Sequence, residues 1–375
     1  MHTTSITEGE TRIQVPVADA NAQFPPGTAP VFYNPRMQFN RDMTILLASY
    51  LKPSTYLDAM GATGMRGFRV AYETLTPPAV TINDYSILAC ELMQKNSMQT
   101  GINCIITHRE ANALMSEQRF EMVDLDPFGT PAPFIDAACK SAHPYLCITA
   151  TDTAPLCGAH LKAGIRRYDA MPMNTDYHPE VGLRILLGYV VRMIVKYDKG
   201  VIPLLCYVRE HYVRLVVKLV NGANLADNSI ARLGYVYQCT SCPYAIEEAG
   251  RLEQKKQDRV CPHCGTRLRP IGPLWMGSIC DTDVIDGMLA LLPSLPQLQT
   301  RAIEKLLMIC RNEPSISFHY DYHRISKRCA KSAVAMDTYL TRLREKGYYA
   351  EKTHYTGTGV KTDAPLTALY EALNP

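Results

Sequence analysis

The chain has 375 residues, of which 47% are hydrophobic and 20% charged. That is enough apolar material for about two or three domains with sizeable cores, and it excludes a disordered or low-complexity protein. No run of eighteen apolar residues occurs, and the polar start MHTTSITEGETR lacks the apolar segment of an export signal, so a soluble, cytoplasmic protein with no membrane partner is expected. The formal net charge of +3 is unevenly placed: residues 1–155 hold 10 Lys/Arg against 15 Asp/Glu, and residues 156–375 hold 29 against 21. A basic second half suits a polyanionic partner, although an unevenly solvated surface gives the same imbalance. The 13 cysteines are scattered, which in an unexported chain points to reduced thiols, with close pairs favouring metal.

In chain order, residues 1–30 are polar and proline-rich (ANAQFPPGTAP) and read as an N-terminal arm. Regular patterns follow. RDMTILLASYL predicts a helix and TYLDA a short strand leading into a glycine-rich turn. GFRVAYETL is helical, AVTIND a strand, ILACELMQKNSMQ a helix and NCIITHRE a strand. ANALMSEQ (helix), FEMVDLD (strand), PFIDAACKSA (helix) and PYLCITATD (strand) complete the alternation. Strands alternating with helices of this length imply right-handed crossovers and a largely parallel, Rossmann-like sheet, so the fold class is α/β. LRILLGYVVRMIVKYDKG is helical, and VIPLLCYVREHYVRLVVKLV reads as strands or as strand then helix. Residues 235–275 are Tyr/Cys/Pro-rich, LPQLQTRAIEKLLMICRNE is an amphipathic helix, and MDTYLTRLREKGYYAEKTHY runs to a C-cap at Gly347 and then a strand. The expected division is an arm at 1–30, the α/β domain at 31–225 and a second, basic α+β domain at 226–375.

The turn in TYLDAMGATGMRGF places Asp58 at a strand end and Gly61, Gly64 and Gly67 at the entry to a helix. Such a strand–turn–helix lets a ligand approach the backbone, but the G-x-x-G-x-x-G spacing is not the dinucleotide fingerprint and disfavours NAD. Asp84 ends the second strand, where an acid can bind a ribose diol. Glu110 ends the third, where an acid and the next N–H, that of Ala111, can read an adenine edge. Three acids at one sheet edge around a glycine turn suit an adenosine-bearing sulfonium cofactor, which carries no pyrophosphate.

Asp126 closes the fourth strand at the same edge, in DLDPFGTP. This corner resembles the D/N-P-P-Y/F/W loop of methyltransferases that act on exocyclic amines, with Phe128 in place of the second proline. The chemistry asks for such a corner. An amine conjugated to a base ring is a poor nucleophile; a carboxylate accepting its N–H localises the lone pair, and an aromatic ring stacks on the base.

DLDPFGTPAPFIDAA, with VFYNPRMQFNRD, LDAMGATGMRGFR, ITATDTAPLCG and YTGTGVKTDAP, resembles the archaeal type of the tRNA (guanine-26-N2)-dimethyltransferase family over about residues 30–367. The resemblance implies a Rossmann-like methyltransferase sheet and transfer of one or two methyl groups from S-adenosyl-L-methionine to N2 of guanine 26 in tRNA. It makes Asp126 the acceptor of the amino proton and gives Pro127 and Phe128 the base pocket. It places Arg36, Arg66, Asp84, Glu110 and Ala111 at the cofactor, beside Asp58 and Gly61 of the glycine turn, and lets Phe32 and Asn34 reach the guanine. Methylation of amines on another RNA or DNA base shares the corner chemistry, but the missing second proline argues against it. A non-catalytic tRNA-binding protein is opposed by the intact acids.

Cys239-x2-Cys242 and Cys261-x2-Cys264, with 18 residues between the pairs, have zinc-ribbon spacing: four thiolates in a closed structural site for Zn2+, with His263 outside the ligand set. RLEQKKQDR and TRLRP in this module suit phosphate contacts. The basic helices of HRISKRCAKSAVAMDTYLTRLREKGYY, followed by a strand ribbon, have a winged-helix grammar, and Lys361 and Thr362 either touch RNA or fix a loop. No obligate protein partner is evident.

Overall fold

The computed structural model describes residues 2–17, 29–250 and 259–373. The chain divides into two units, Met1–Thr149 with Thr282–Leu307, and Ala150–Asp281 with Met308–Pro375.

In the first unit, five predicted strands form a parallel array: β3 (Thr55–Asp58), β4 (Ala79–Asp84), β5 (Ile105–His108), β6 (Phe120–Leu125) and β7 (Ala142–Ala150). They lie in the order β5-β4-β3-β6-β7, so the order reverses between β3 and β6. A crevice opens beyond the carboxyl ends of strands at such a reversal. Leu57, Ile82, Val123, Leu125 and Ile148 are fully buried, as apolar runs covered on both faces should be. The crossover helices are α1 (Gln38–Leu51), α2 (Met65–Glu73), α3 (Ile87–Thr100), α4 (Ala111–Glu117) and α5 (Ile135–Ser141). α3 begins at a Ser86 cap and ends at Gly101 in the left-handed region. The helix Thr282–Leu291 returns to this unit, with Gly287 pressed against the Tyr50 ring of α1 so closely that a side chain there would collide.

The N-terminal arm carries a hairpin: β1 (Thr3–Glu8) pairs antiparallel with β2 (Thr11–Pro16) around Gly9, at φ +56°. The segment ANAQFPPGTAP lies largely outside the described residues. Glu8 is buried between Arg41 (2.5 Å) and Arg69 (3.4 Å), and Arg69 also pairs with Asp42 (2.6 Å) and Glu73 (2.8 Å). Asn96 of α3 accepts from the Gln14 N–H at 2.9 Å and donates to its carbonyl at 3.0 Å, completing part of the edge of β2.

The second unit opens with α6 (Thr153–Leu156), α7 (Leu161–Tyr168) and α8 (His178–Ile194), followed by β8 (Lys199–Arg209) and β9 (Tyr212–Asn221). β8 and β9 pair antiparallel, which settles the strand-or-helix alternative in favour of two strands, and α9 (Ala223–Ile230) follows. β10 (Leu233–Cys239), β11 (Ala245–Ala249) and β12 (Leu268–Trp275) make an antiparallel sheet in the order β11-β10-β12. The amphipathic helix is observed at Thr300–Asn312, where the chain passes from the first unit back to the second after Leu307. The C-terminal part has β13 (Tyr320–Asp321), α10 (Tyr322–Arg328), α11 (Met336–Glu345), β14 (Ala350–Lys352), β15 (Gly359–Thr362) and α12 (Leu366–Glu371), with sheet order β13-β15-β14. Gly347 follows α11 at φ +87°, as its C-cap position requires.

Lys361 does not face solvent. It is buried on Glu180 at 2.6 Å, and Glu180 also meets Arg184 at 2.9 Å and His319 at 2.9 Å. Glu313 lies 3.4 Å from Lys361 and 2.6 Å from His354. Among the described residues no helix is long and apolar enough to cross a membrane.

Burial pushes the Glu313 carboxyl up, but His354 and Lys361 outweigh it and hold it at about 2 against an ordinary 4.5. A carboxyl lowered on folding contributes stability above its unfolded value, and that stability is lost as the pH falls towards the folded one. Urea denaturation from pH 7 down to pH 2 should therefore show stability falling below about pH 4.5. Glu313→Gln should lower stability at pH 7 by about 3 kcal/mol, since it leaves Lys361 and His354 short of an anion. It should also flatten the acid limb; an unchanged acid limb in the variant would contradict the assignment.

Candidate active site and metal centre

The glycine turn lies where β3 gives way to α2. Gly61 N–H donates to the Asn83 carbonyl at 2.7 Å, and Gly64, at φ +80°, caps the helix in a conformation that L side chains avoid. Gly61 and Gly67 both abut Ile82 of the neighbouring strand, so a side chain at either would force the turn off the sheet. Asp58 is 2% exposed and accepts the Gly67 N–H at 3.1 Å. Asp84 accepts the Ala62 N–H and the Ser86 N–H, each at 2.8 Å, so one carboxylate ties the glycine turn to the start of α3. Glu110 caps α4 through the Ala113 N–H at 2.8 Å, and Ala111 is buried as that helix begins.

Arg66, almost wholly buried, points from α2 into a polar nest. Its Nη1 donates to Asn40 Oδ1 at 2.9 Å and Thr44 Oγ1 at 2.8 Å, and lies 3.5 Å from Asp124 Oδ2. Its Nη2 is ion-paired with Asp126. Asp124 is fully buried as the penultimate residue of β6, where it also accepts the Tyr56 hydroxyl at 3.1 Å. One guanidinium thus fixes the orientation of Asp126, whose side chain keeps 20% of its surface open. Burial pushes the Asp58 carboxyl up to about 7; Arg66 opposes this, while Asp124 and Asp126 reinforce it.

Pro127 is buried and Gly129 turns at φ +77°, so the corner leaves the strand sharply. Phe128 between them is 72% exposed, unusual for a large apolar ring, and stands edge-on to Phe32 with centroids 4.4 Å apart. Asn34 turns its side-chain oxygen inward to the Arg36 N–H at 3.0 Å, capping the short turn Pro35–Met37. Arg36 lies exposed on that turn. Tyr33 donates to Glu8 at 2.6 Å and Arg41 donates to the Asn34 carbonyl at 3.0 Å, so the hairpin's buried acid anchors the segment carrying Phe32 and Asn34.

The structure therefore brings together Arg66 and Asp126 with Asp58 close by, Gly61 and Asp84, and Phe32 and Phe128. Glu110 and Asn34 cap local structure. Sequence reasoning missed Asn40, Thr44, Tyr56 and Asp124, the partners that make burial of Arg66 possible. Asn40 and Thr44 stand four apart in NRDMT, one face of a helix, a signal that was present in the sequence.

In the second unit β10 ends at Cys239, and β12 begins at Leu268, just after the second cysteine pair. Cys239 and Cys264 sulfurs are 3.4 Å apart, as are those of Cys242 and Cys261, and all four lie within 4.8 Å of one another. Sulfurs at tetrahedral Zn–S bonds of about 2.3 Å stand at comparable separations, so this all-thiolate set fits a closed zinc site. His263 is exposed, its ring packing near Tyr244 at 5.2 Å, and is not among the clustered ligands. Most of RLEQKKQDR lies outside the described residues; its last member, Arg259, pairs with Glu248 at 2.5 Å and covers the Tyr237 ring.

The family model for N2,N2-dimethylguanosine tRNA methyltransferase matches residues 9–374. The tRNA (guanine(26)-N(2))-dimethyltransferase of Methanospirillum hungatei is 54% identical over 376 residues, covering 100% of both chains. That of Methanosphaerula palustris is 53% identical over 369 residues, covering 98% of each. Among solved structures, the complex of Trm1 from Pyrococcus horikoshii with S-adenosyl-L-methionine superposes with a TM-score of 0.88 at 36% identity, covering 99% of both chains. The chain belongs to the N2,N2-dimethylguanosine tRNA methyltransferase family.

Proposed function

We propose that this protein transfers one or two methyl groups from S-adenosyl-L-methionine to the exocyclic N2 of guanine 26 in tRNA, in the cytoplasm. The observation that carries the reading is the Arg66–Asp126 pair beside the glycine turn, at the reversal of strand order, in a chain matched over its length by relatives named for that reaction.

Asp126 accepts an N–H of the guanine amine and later takes the proton that the amine sheds. Arg66 keeps the carboxylate aimed at one point, which converts a diffuse encounter into a fixed geometry. Phe128, with Phe32 behind it, offers a ring face or edge to a base taken out of its stack, and Pro127 holds the corner rigid. Asn34 borders that pocket, and Arg36, two residues on, lies with the residues that hold the cofactor. Asp58, Gly61, Asp84, Glu110 and Ala111 hold the cofactor's nucleoside and amino-acid parts. Their acidic character fits a ribose diol and a cation and leaves no nest for a pyrophosphate. When bound, S-adenosylmethionine supplies an electrophilic methyl on a positively charged sulfur. Cys239, Cys242, Cys261 and Cys264 hold zinc that closes the ribbon and takes no part in the chemistry. The basic second unit grips tRNA.

The test is methyl transfer to unmodified tRNA transcripts carrying guanine or adenine at position 26. Label should enter only the guanine form, as N2-methylated nucleoside. Asp126→Asn, which keeps an oxygen for Arg66 to bond, should lower kcat at least about 1,000-fold while the cofactor Kd stays within about threefold, as for a group that acts in the transition state alone. Equal loss of cofactor binding would remove the role given to Asp126.

Because burial pushes the Asp58 carboxyl up to about 7, the cofactor's ammonium bound beside it would favour the carboxylate and release a proton. Affinity for S-adenosylmethionine should accordingly weaken as the pH falls below 7, by up to about tenfold per unit. The thioether product keeps the same ammonium group and should weaken in parallel, whereas adenosine, which lacks it, should show a flatter profile; a flat profile for S-adenosylmethionine would count against this placing of Asp58.

Cys239→Ser should leave the purified protein with less than one zinc per chain and a lower melting temperature, measured by elemental analysis and calorimetry. Full zinc content in that variant would take the ribbon out of the scheme.

A further inference from the structure

The second unit contains an open cleft of about 340 Å³ that shares no residue with the Asp126 site. Three pieces of chain wall it: the loop around Asn174, Thr175 and Asp176, the first cysteine knuckle with Thr240 and Ser241, and the face of α10 that carries Arg324 and Arg328. The two arginines are four residues apart, so they leave α10 on one side, about 6 Å apart at their bases. That is comparable with the step between successive phosphates along a nucleic-acid strand.

The walls carry two arginines with hydroxyl and amide neighbours; of the two acids among them, Asp321 is occupied in capping α10 through the His323 and Arg324 N–H groups. Arg324 is two-thirds exposed and its partner is Asp176, on the opposite wall. An exposed pair of this kind is weak in water and exchanges readily for a phosphate, which a guanidinium binds through two parallel hydrogen bonds. Asn174, Thr240 and Ser241 are exposed at the rim, the donors usually found against sugar and phosphate oxygens. The interior carries a second sign of an incomplete site. His319, 1% exposed, lines the cleft; its Nδ1 lies 2.9 Å from the Glu180 carboxylate, and its Nε2 has no hydrogen-bond partner among the described residues. Buried polar atoms are almost always partnered, so an orphan at the edge of this cleft points to a ligand that supplies the missing contact.

We propose that this cleft is a separate RNA contact, taking two successive phosphates of the tRNA backbone on Arg324 and Arg328, with Asn174, Thr240 and Ser241 on the intervening sugar–phosphate oxygens. The Asp176–Arg324 pair closes the cleft when no RNA is present and opens to receive it. The inference rests on the reading that tRNA is the substrate. It also assigns a use to the cysteine ribbon: the first knuckle forms one wall of the cleft, and the metal keeps that wall in place.

The test uses the full chain with its zinc, an unmodified guanine-26 tRNA transcript, and two variants, Arg324→Ala/Arg328→Ala and Asn174→Trp. Dissociation constants are measured by filter binding from 50 to 200 mM salt, with S-adenosylmethionine affinity and melting temperature followed in parallel. The double variant should bind the transcript roughly tenfold more weakly at physiological salt, with a log–log salt slope shallower by about 2. Asn174→Trp, which plugs the rim and keeps both arginines, should weaken RNA binding as well, and neither variant should alter cofactor affinity. A wild-type dissociation constant and slope in the double variant overturn the proposal, whatever the tryptophan variant does. Absence of methyl transfer by the unaltered protein would count against the proposed reaction instead, because the cleft is judged on binding and slope alone.

Discussion

The need to compensate one buried guanidinium organises the first unit. Arg66 has left water, and an uncompensated charge in that position would unfold the turn that carries it. Its partners come from three separate elements: Asn40 and Thr44 from α1, Asp124 from β6, and Asp126 from the corner beyond it. For all of them to reach it, α1 must pack at one height, the glycine turn must close tightly enough to start α2, and β6 must end at one residue. The same set of distances that makes burial tolerable points the Asp126 carboxylate towards the crevice. Stability and the placing of the Asp126 carboxylate are therefore set by a single arrangement, which cannot loosen without exposing a charge.

Two other ionic clusters apply the same logic to chain ends. Glu8 and Arg69 draw the N-terminal hairpin onto α1 and α2, and the Tyr33 hydroxyl extends that cluster to the segment bearing Phe32. In the second unit Glu180 gathers Arg184, His319 and Lys361, joining α8 to the strand β15 near the C-terminus. Buried pairs of this type add little over a well-packed apolar core, but removing one partner is severe. They favour one way of docking a segment over many nearly equivalent ones.

Much of this was legible in the residues. The alternation of strand and helix, the strand ends at Asp58 and Asp84, and the two cysteine pairs follow from local pattern, and local pattern is what hydrophobic period and turn chemistry report; the fourth strand stops at Leu125, one residue short of the expected Asp126. The corner at Asp126 was legible because proline and an exposed aromatic ring break a strand in a recognisable way. The hairpin at residues 3–16 was not, since TTSITEGETRIQVP is mostly polar and its stability comes from Arg41, Asp42, Arg69, Glu73 and Asn96, far along the chain. Lys361 was left between two readings for the same reason. A lysine in a glycine- and threonine-rich loop looks solvated, and only the fold reveals the glutamate that takes it inside. The nest around Arg66 lay between these cases, with spacing visible but partnership hidden.

The first unit is written in two stretches, residues up to 149 and residues 282–307. The later stretch brings Gly287 against Tyr50 and places the Gln299 N–H on the Asp42 carboxylate at 3.2 Å, a group that also pairs with Arg69. While the chain is being synthesised, α1 therefore waits with an unfinished surface until more than 130 intervening residues have left the ribosome. The glycine turn and its acids are all present early, yet the helix that supports Arg66 is covered late. Gene fragments or fusions that stop after residue 149 would carry every residue of the Asp126 site and still lack the support that makes it rigid.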